Sequence, residues 1–275
     1  MNTRRLTTAR VVSFALLSLG SVVLLYPFFY MVMNSFKYGR EILHAPTSLP
    51  SEITLSGYIG VFRQLNILLL FRNSLILAVS ITLLNTLLSA LAAFALAKIR
   101  FPGRDQIFGF MLATMMIPGV LFLIPTYVII YNLGWVGQFQ ALIIPSAVSV
   151  YNIFLIRQFM VGIPDELLEA ARIDGAGEIG IFTRIVLPLT RPALTAVAIL
   201  SFMGSWNDFL GPLLYLNRQD RWTVQLGLHQ FNTSVPGENA QLVWAATTLI
   251  TLPLIIVYFF LQDQFVQAFA NVSLK

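Results

Sequence analysis

The sequence predicts an all-α fold: a polytopic membrane protein with six transmembrane helices, built as one transmembrane domain over residues 1–275. Three observations carry that expectation. The chain is 57% hydrophobic and only 11% charged, with a mean hydropathy of +0.78, whereas a soluble domain carries roughly a quarter charged residues. Apolar runs long enough to cross a ~30 Å hydrocarbon core recur six times, at about 11–34, 72–97, 106–131, 139–160, 191–216 and 241–261. Lys and Arg are also unevenly shared between the loops on the two sides.

The first run follows Arg4, Arg5 and Arg10. It extends from Val11 to about Met33, longer than the roughly 7–15-residue apolar core of a signal peptide, and no small-residue cleavage site follows. It reads as an uncleaved first span. The fourth is the weakest, interrupted by Pro145 and by polar Tyr151 and Asn152. Pro118, Pro125, Pro145 and Pro253 mark expected kinks, since proline removes a helix donor.

Of the 17 Lys and Arg residues, 11 fall on one side if both termini share it: Arg4, Arg5, Arg10, Lys98, Arg100, Arg104, Arg157, Arg172, Arg184, Arg191 and Lys275. The positive-inside tendency makes that side cytoplasmic. The longer segments expected outside, 36–71 and 217–240, mix Pro, Gly, Ser and aromatics and read as short surface helices that meet a partner. The formal net charge of +5 does not point to nucleic acid, because the basic residues lie scattered in short loops beside apolar runs. With no cysteine, disulfides and thiol chemistry are excluded.

Residues 162–192 are the polar exception between the fourth and fifth runs. Pro164 suits a first helical position, and Asp165 and Glu166 then complement the helix dipole. Leu167, Leu168, Ala170, Ala171 and Ile173 supply helix formers, with Leu167 and Ala171 on one face. Asp174-Gly175 reads as a helix stop with Gly left-handed. A short amphipathic helix of about ten residues results, and a second is expected from Glu178 towards Val186. The pair Ala170-Ala171 permits close approach by another surface, and Glu169 offers it a carboxylate.

Glu169-Ala-Ala171, three residues, Gly175, nine residues, Ile185, one residue and Leu187-Pro188 resemble the EAA signature of permease subunits in bacterial ATP-binding-cassette importers. Further segments are similar to the carbohydrate-importing branch: Asn34-Ser-Phe-Lys37, Phe71-Arg-Asn-Ser74, Ala92 to Lys98 with Phe101-Pro-Gly-Arg104, Ile124-Pro-Thr-Tyr127, Trp206-Asn-Asp208 and Trp222 to Gly227. The resemblance covers residues 30–265 or so. It implies the type I importer permease fold, in the bacterial inner membrane with both termini cytoplasmic. It also implies a second homologous permease, two ATPase subunits that bind ATP and magnesium, an extracytoplasmic solute-binding protein and a carbohydrate cargo. This chain itself would need no cofactor or metal. Glu169, Ala170, Ala171, Asp174, Gly175, Ile185, Leu187 and Pro188 would form the ATPase-coupling element. A loop at 231–237 matches the position of one that reaches into the binding protein. The end Ala270-Asn-Val-Ser-Leu-Lys275 departs from the relatives' glycine-rich tail.

Polar groups inside apolar runs are costly and usually face a bundle interior or a water-filled path. Asp208, about 22 Å along the fifth run from Ala193 at 1.5 Å per residue, is the clearest, with Trp206 and Asn207 beside it. Asn85, Tyr127, Tyr151, Asn152, Trp244 and Thr248 are further candidates for a cargo path; helix–helix hydrogen bonding is the competing role for such residues. An ion-coupled secondary transporter is the rival class. It calls for intramembrane coupling charges and usually an internal repeat, and among the runs only Asp208 is a clear candidate. No H-E-x-x-H, G-x-S-x-G or G-x-x-x-x-G-K-[ST] motif occurs, so the chain is expected to be a non-catalytic subunit.

Overall fold

The computed structural model describes residues 3–232 and 239–270. Among them the chain is helical with no strand: α1 (Thr3–Ser35), α2 (Gly39–His44), α3 (Ser56–Gln64), α4 (Ile67–Lys98), α5 (Arg104–Thr114), α6 (Leu123–Asn132), α7 (Gln140–Ile143), α8 (Val150–Val161), α9 (Asp165–Ile173), α10 (Glu178–Ile181), α11 (Leu187–Leu189), α12 (Arg191–Asn207), α13 (Leu210–Tyr215), α14 (Val224–Asn232) and α15 (Ala240–Ala270). Most of the expected loop at 231–237 and the end at 271–275 lie outside the described residues.

Three helical stretches are long and apolar enough to cross a membrane: Arg10–Ser35, Ile67–Lys98 and Ala240–Phe259. They coincide with the first, second and sixth apolar runs. Three bent pairs bring the number of candidate spans to as many as six. Arg104–Thr114 and Gly119–Asn132 meet at 92°, across the break that ends at Pro118. The fourth run is divided: α7, a 3-10 turn at Pro145–Ala147 and α8 replace one continuous helix, and Pro145–Val161 then bends 77° into α9. In the fifth, α12 stops at Asn207 because Asp208 is extended (φ −67°, ψ 121°), and α13 resumes at Leu210. Hydropathy does not see such breaks, since they interrupt the backbone ladder without interrupting the apolar run.

Tertiary contacts divide the chain into two compact units, Met1–Ile67 with Gly227–Pro253, and Leu68–Leu226 with Leu254–Lys275. In the first, the face of α1 is exposed from Arg10 through Phe29, and burial begins at Met31. Lys37 is wholly buried and donates to the carbonyls of Ala45 (3.1 Å) and Pro46 (3.2 Å), which supplies the polar partners a buried ammonium requires. The expected short helices after α1 are α2 and α3. A Cβ on Gly57 of α3 would stand 2.6 Å from the Gln241 carbonyl oxygen, so only glycine permits this approach to α15.

The second unit holds every candidate site residue except Trp244 and Thr248. Its larger apolar cluster joins Ala90, Ala93 and Phe94 of α4, Ile153, Ile156 and Met160 of α8 and Val197 of α12 to Leu168, Ile181, Phe182 and Val186. The last four belong to the polar stretch 162–192. Burying a Leu or Ile side chain from water is worth about 1.5–3 kcal/mol, so this stretch is fastened to the helices by its own apolar residues. Phe94 and Phe182 meet at 5.2 Å.

Candidate functional site

The stretch after α8 folds much as its residues predict. Pro164 caps α9 in an extended conformation (φ −58°, ψ 133°), one residue earlier than the first helical position expected, and Asp165 and Glu166 occupy the first turn. At the far end Ala176 N–H donates to Ala171 O (2.9 Å) and Gly175 N–H to Arg172 O (3.0 Å), the paired bonds of a Schellman stop. Gly175 has φ +85°, the left-handed conformation expected. Arg172 clamps the following turn through two bonds to Glu178, Nε to Oε1 at 2.8 Å and Nη2 to Oε2 at 3.3 Å. That carboxylate's hydrogen bond raises the Arg172 guanidinium above its ordinary value.

Lys98, at the end of α4, ties the front of α9. Its Nζ donates to Ile163 O and Asp165 Oδ1, both at 2.6 Å, and the bond from Lys98, then its charge, hold the Asp165 carboxyl below the usual range. A cavity of about 310 Å³ lies beside this clasp, lined by Lys98, Arg100, Asp165, Glu169, Arg172 and Glu178 among others.

Glu169, Ala170, Asp174, Gly175 and Pro188 are exposed, while Ala171, Ile185 and Leu187 are half-buried. Leu168, not Leu167, turns into the core, and Ile173 and Ile179 are 86% and 81% exposed. The helix expected from Glu178 to Val186 is α10 followed by a π-helical segment, Phe182–Val186. Leu187 N–H reaches back five residues to Phe182 O, and Pro188 has no N–H to offer Arg184 O. Proline at 188 was the available signal for a disturbed ladder. The Lys98 clasp had none, because it joins residues 67 apart.

A second cavity, about 440 Å³, is bounded by α4, the turn before α8, α8 and α12. Asn85, Tyr151, Asn152 and Asp208 line it, as do Ser146, Ser149, Ser201 and Ser205, which sequence reasoning missed. Ser201 and Ser205 share one face of α12, which Asp208 follows directly, and the i, i+4, i+7 spacing of the three is the signal that finds these two serines. Asn152 Nδ2 donates to Asn85 Oδ1 (2.6 Å) and Ser201 Oγ (3.0 Å), and Asn85 Nδ2 to Ser146 O (2.8 Å). Asp208 Oδ1 accepts from Gly211 N–H at 3.1 Å.

The remaining candidates lie elsewhere. Trp206 is 1% exposed, stacked on Phe202 (5.8 Å) and edge-on to Phe71 (5.9 Å); its ring belongs to the packing. Asn207 is exposed, and its Nδ2 donates to Met203 O at 2.9 Å. Tyr127 stacks on Tyr215 (6.0 Å) and Tyr131 (6.4 Å). Trp244 and Thr248 belong to the other unit, Trp244 edge-on to Tyr30 at 5.4 Å, with the Thr248 hydroxyl donating to Trp244 O. Among the described residues no group of three or more His, Cys, Asp or Glu is placed to hold a metal.

Residues 85–271 match the family described as the binding-protein-dependent transport system inner membrane component. The chain is 35% identical to the diacetylchitobiose uptake system permease of Streptomyces coelicolor, over 90% of this chain and 83% of that protein. It is 33% identical to an inner membrane ABC transporter permease of Escherichia coli, over 98% and 97%. It is 32% identical to the sn-glycerol-3-phosphate transport system permease of Agrobacterium fabrum, over 94% and 95%. In fold it is similar to a chain of a crystallised bacterial ABC transporter that imports the acidic polysaccharide alginate, with a TM-score of 0.83, 24% identity and 96% and 99% of the two chains covered.

Proposed function

We propose, from the premise that this chain belongs to the binding-protein-dependent transport inner membrane component family, that it is one half of the translocation path of an ATP-driven sugar importer. It lies in the bacterial inner membrane with both termini cytoplasmic. It pairs with a second homologous permease, takes cargo from an extracytoplasmic binding protein and couples to ATPase subunits, which bind the ATP and magnesium. The chain itself is non-catalytic. An ion-coupled secondary transporter is not favoured, because the relatives are permease components of ABC systems.

The observation that carries the coupling role is the contrast within α9. Its Leu168 is buried and its Asp165 is tied to Lys98, while Glu169, Ala170, Ile173 and Gly175 are exposed. One face is fixed to the helix bundle and the other is available to a partner. A displacement imposed on α9 therefore pulls on α4 through Lys98 and on α8 and α12 through the shared apolar cluster. Coupling then needs no soluble domain: a rigid lever is enough.

The test is reconstitution of the chain with its partner permease, ATPase subunits and binding protein in proteoliposomes. Uptake of labelled oligosaccharide that requires ATP, and no hydrolysis by this chain alone, is the expected result. Uptake that survives omission of the ATPase subunits and follows an imposed ion gradient overturns the reading.

A further inference from the structure

The cavity bounded by α4, α8 and α12 has a charge pattern that bears on the cargo. The described residues lining it include Asp208 and no Lys, Arg or His. Three of the four amide hydrogens of Asn85 and Asn152 are already committed. Asn85 Nδ2 is held by Ser146 O, and Asn152 Nδ2 by Asn85 Oδ1 and Ser201 Oγ. The other side-chain donors of the lining are the neutral hydroxyls of Tyr151 and the serines, which offer no positive charge to a phosphate or carboxylate. The Asp208 carboxylate is fixed in place: Oδ1 accepts from Gly211 N–H, and a Cβ at 211 would stand 2.5 Å from Oδ2 and 2.8 Å from Leu142 Cδ2.

Resting on the importer reading, we propose that Asp208 is a charge filter, and that this cavity is a subsite for uncharged, hydroxyl-rich cargo. A sugar hydroxyl donates to the carboxylate in a charge-assisted bond. A phosphorylated or uronic sugar instead brings a second anion to a partly desolvated carboxylate, with no cation beside it in the lining, and such repulsion grows as the local dielectric falls. Helix capping alone does not require the charge. Asparagine offers the same Oδ1 acceptor to Gly211, so Asp208→Asn separates the capping role from the electrostatic one.

The chain contains no cysteine, so Ser205→Cys, with Ser149→Cys as a second site, places one thiol of this chain in the cavity of the importer assembled with cysteine-free partners. Its reaction rates with 2-(trimethylammonium)ethyl and 2-sulfonatoethyl methanethiosulfonate, each normalised to a free thiol, read the local charge. The cationic reagent is expected to be favoured at least about tenfold, the ratio that one unit charge roughly 6 Å away gives even at the dielectric of water. Adding Asp208→Asn brings the ratio close to one. A ratio near one in the parent at both sites, or a ratio that Asp208→Asn leaves unchanged, overturns the filter. In the second arm, ATP-driven uptake by the same importer is compared between neutral disaccharides and their uronate counterparts. Preference for the uronates overturns the filter. Absence of ATP-driven sugar uptake with the reagent ratio intact overturns the importer reading instead, and the cargo assignment with it.

Discussion

Lys98 Nζ donates to both the Asp165 carboxylate and the Ile163 carbonyl at 2.6 Å, which ties the last residue of α4 to the start of α9. The two partners differ sharply in setting, with side chains 4% and 61% exposed. Because Asp165 is so exposed, the ion pair itself is worth at most about 1 kcal/mol. Its value is positional: the buried Lys98 stem fixes where α9 begins. Lys98→Met keeps the stem and removes the donors. We expect it to lower cargo moved per ATP hydrolysed about fivefold, with assembly and thermal midpoint little changed. Parallel measurement of uptake and phosphate release in proteoliposomes checks this, and an unchanged ratio removes the clasp from coupling.

The same clasp sets a pH dependence. Lys98 holds the Asp165 carboxyl below its ordinary value, while in the unfolded chain it titrates near ~3.9. A depressed folded value means that the contribution is complete above the unfolded value and is lost as pH falls through the folded one. The small difference in thermal midpoint between parent and Asp165→Asn, no more than about 1 kcal/mol allows, is therefore expected to stay flat from about pH 5 to 8 and to close only below about pH 4. A gap that closes between roughly pH 6 and 8 would have another origin.

Gly175 makes a prediction that depends on backbone alone. Its φ is +85°, and a Cβ there would meet no heavy atom within 4 Å, so steric crowding plays no part. An L-residue in this conformation costs about 1–2 kcal/mol, and Asn less than most. Thermal midpoint and coupled uptake are both expected to fall in the order Gly, Asn, Ala, Val at this position. A Gly175→Val variant that matches the parent would show that α9 does not need its Schellman stop.

What the sequence discloses and what it hides divide along a physical line. Local chemistry was legible: Pro164, the acidic first turn and Gly175 announced α9 almost to the residue, because capping and left-handed glycine act within a few positions. The apolar runs announced the long helices for the same reason. Breaks in the third, fourth and fifth runs were only half legible. Pro118 and Pro145 flagged two of them, but nothing about Asp208 as a residue type says that α12 must end before it. Long-range relationships were hidden. Trp206 looked like a path residue beside Asp208, yet stacking with Phe202 and Phe71 takes its ring into the packing. Ser201 and Ser205 stood on a legible helical face, although neither serine alone attracts notice.

The paired asparagines test whether the cavity wall is held together or merely lined. Asn85 and Asn152 are 4% and 6% exposed and joined by a 2.6 Å bond. Removing either amide takes one bond from the other, which keeps a second partner (Ser201 Oγ for Asn152 Nδ2, Ser89 Oγ for Asn85 Oδ1). Each single change is therefore expected to cost towards the lower end of the about 1–3 kcal/mol of a buried polar group left unsatisfied. Removing both strands neither across this bond, so Asn85→Ala with Asn152→Ala should cost less than the two single changes added together. Between membrane helices such coupling averages about 0.6 kcal/mol and reaches about 1.7. The short distance and low exposure here place the expectation at about 1 kcal/mol or above on that scale. Thermal unfolding of the four proteins of the cycle in the assembled complex measures it. Strict additivity would mean that water or a neighbouring group replaces the lost partner at once. The network would then be a polar lining rather than the element that sets the wall's shape.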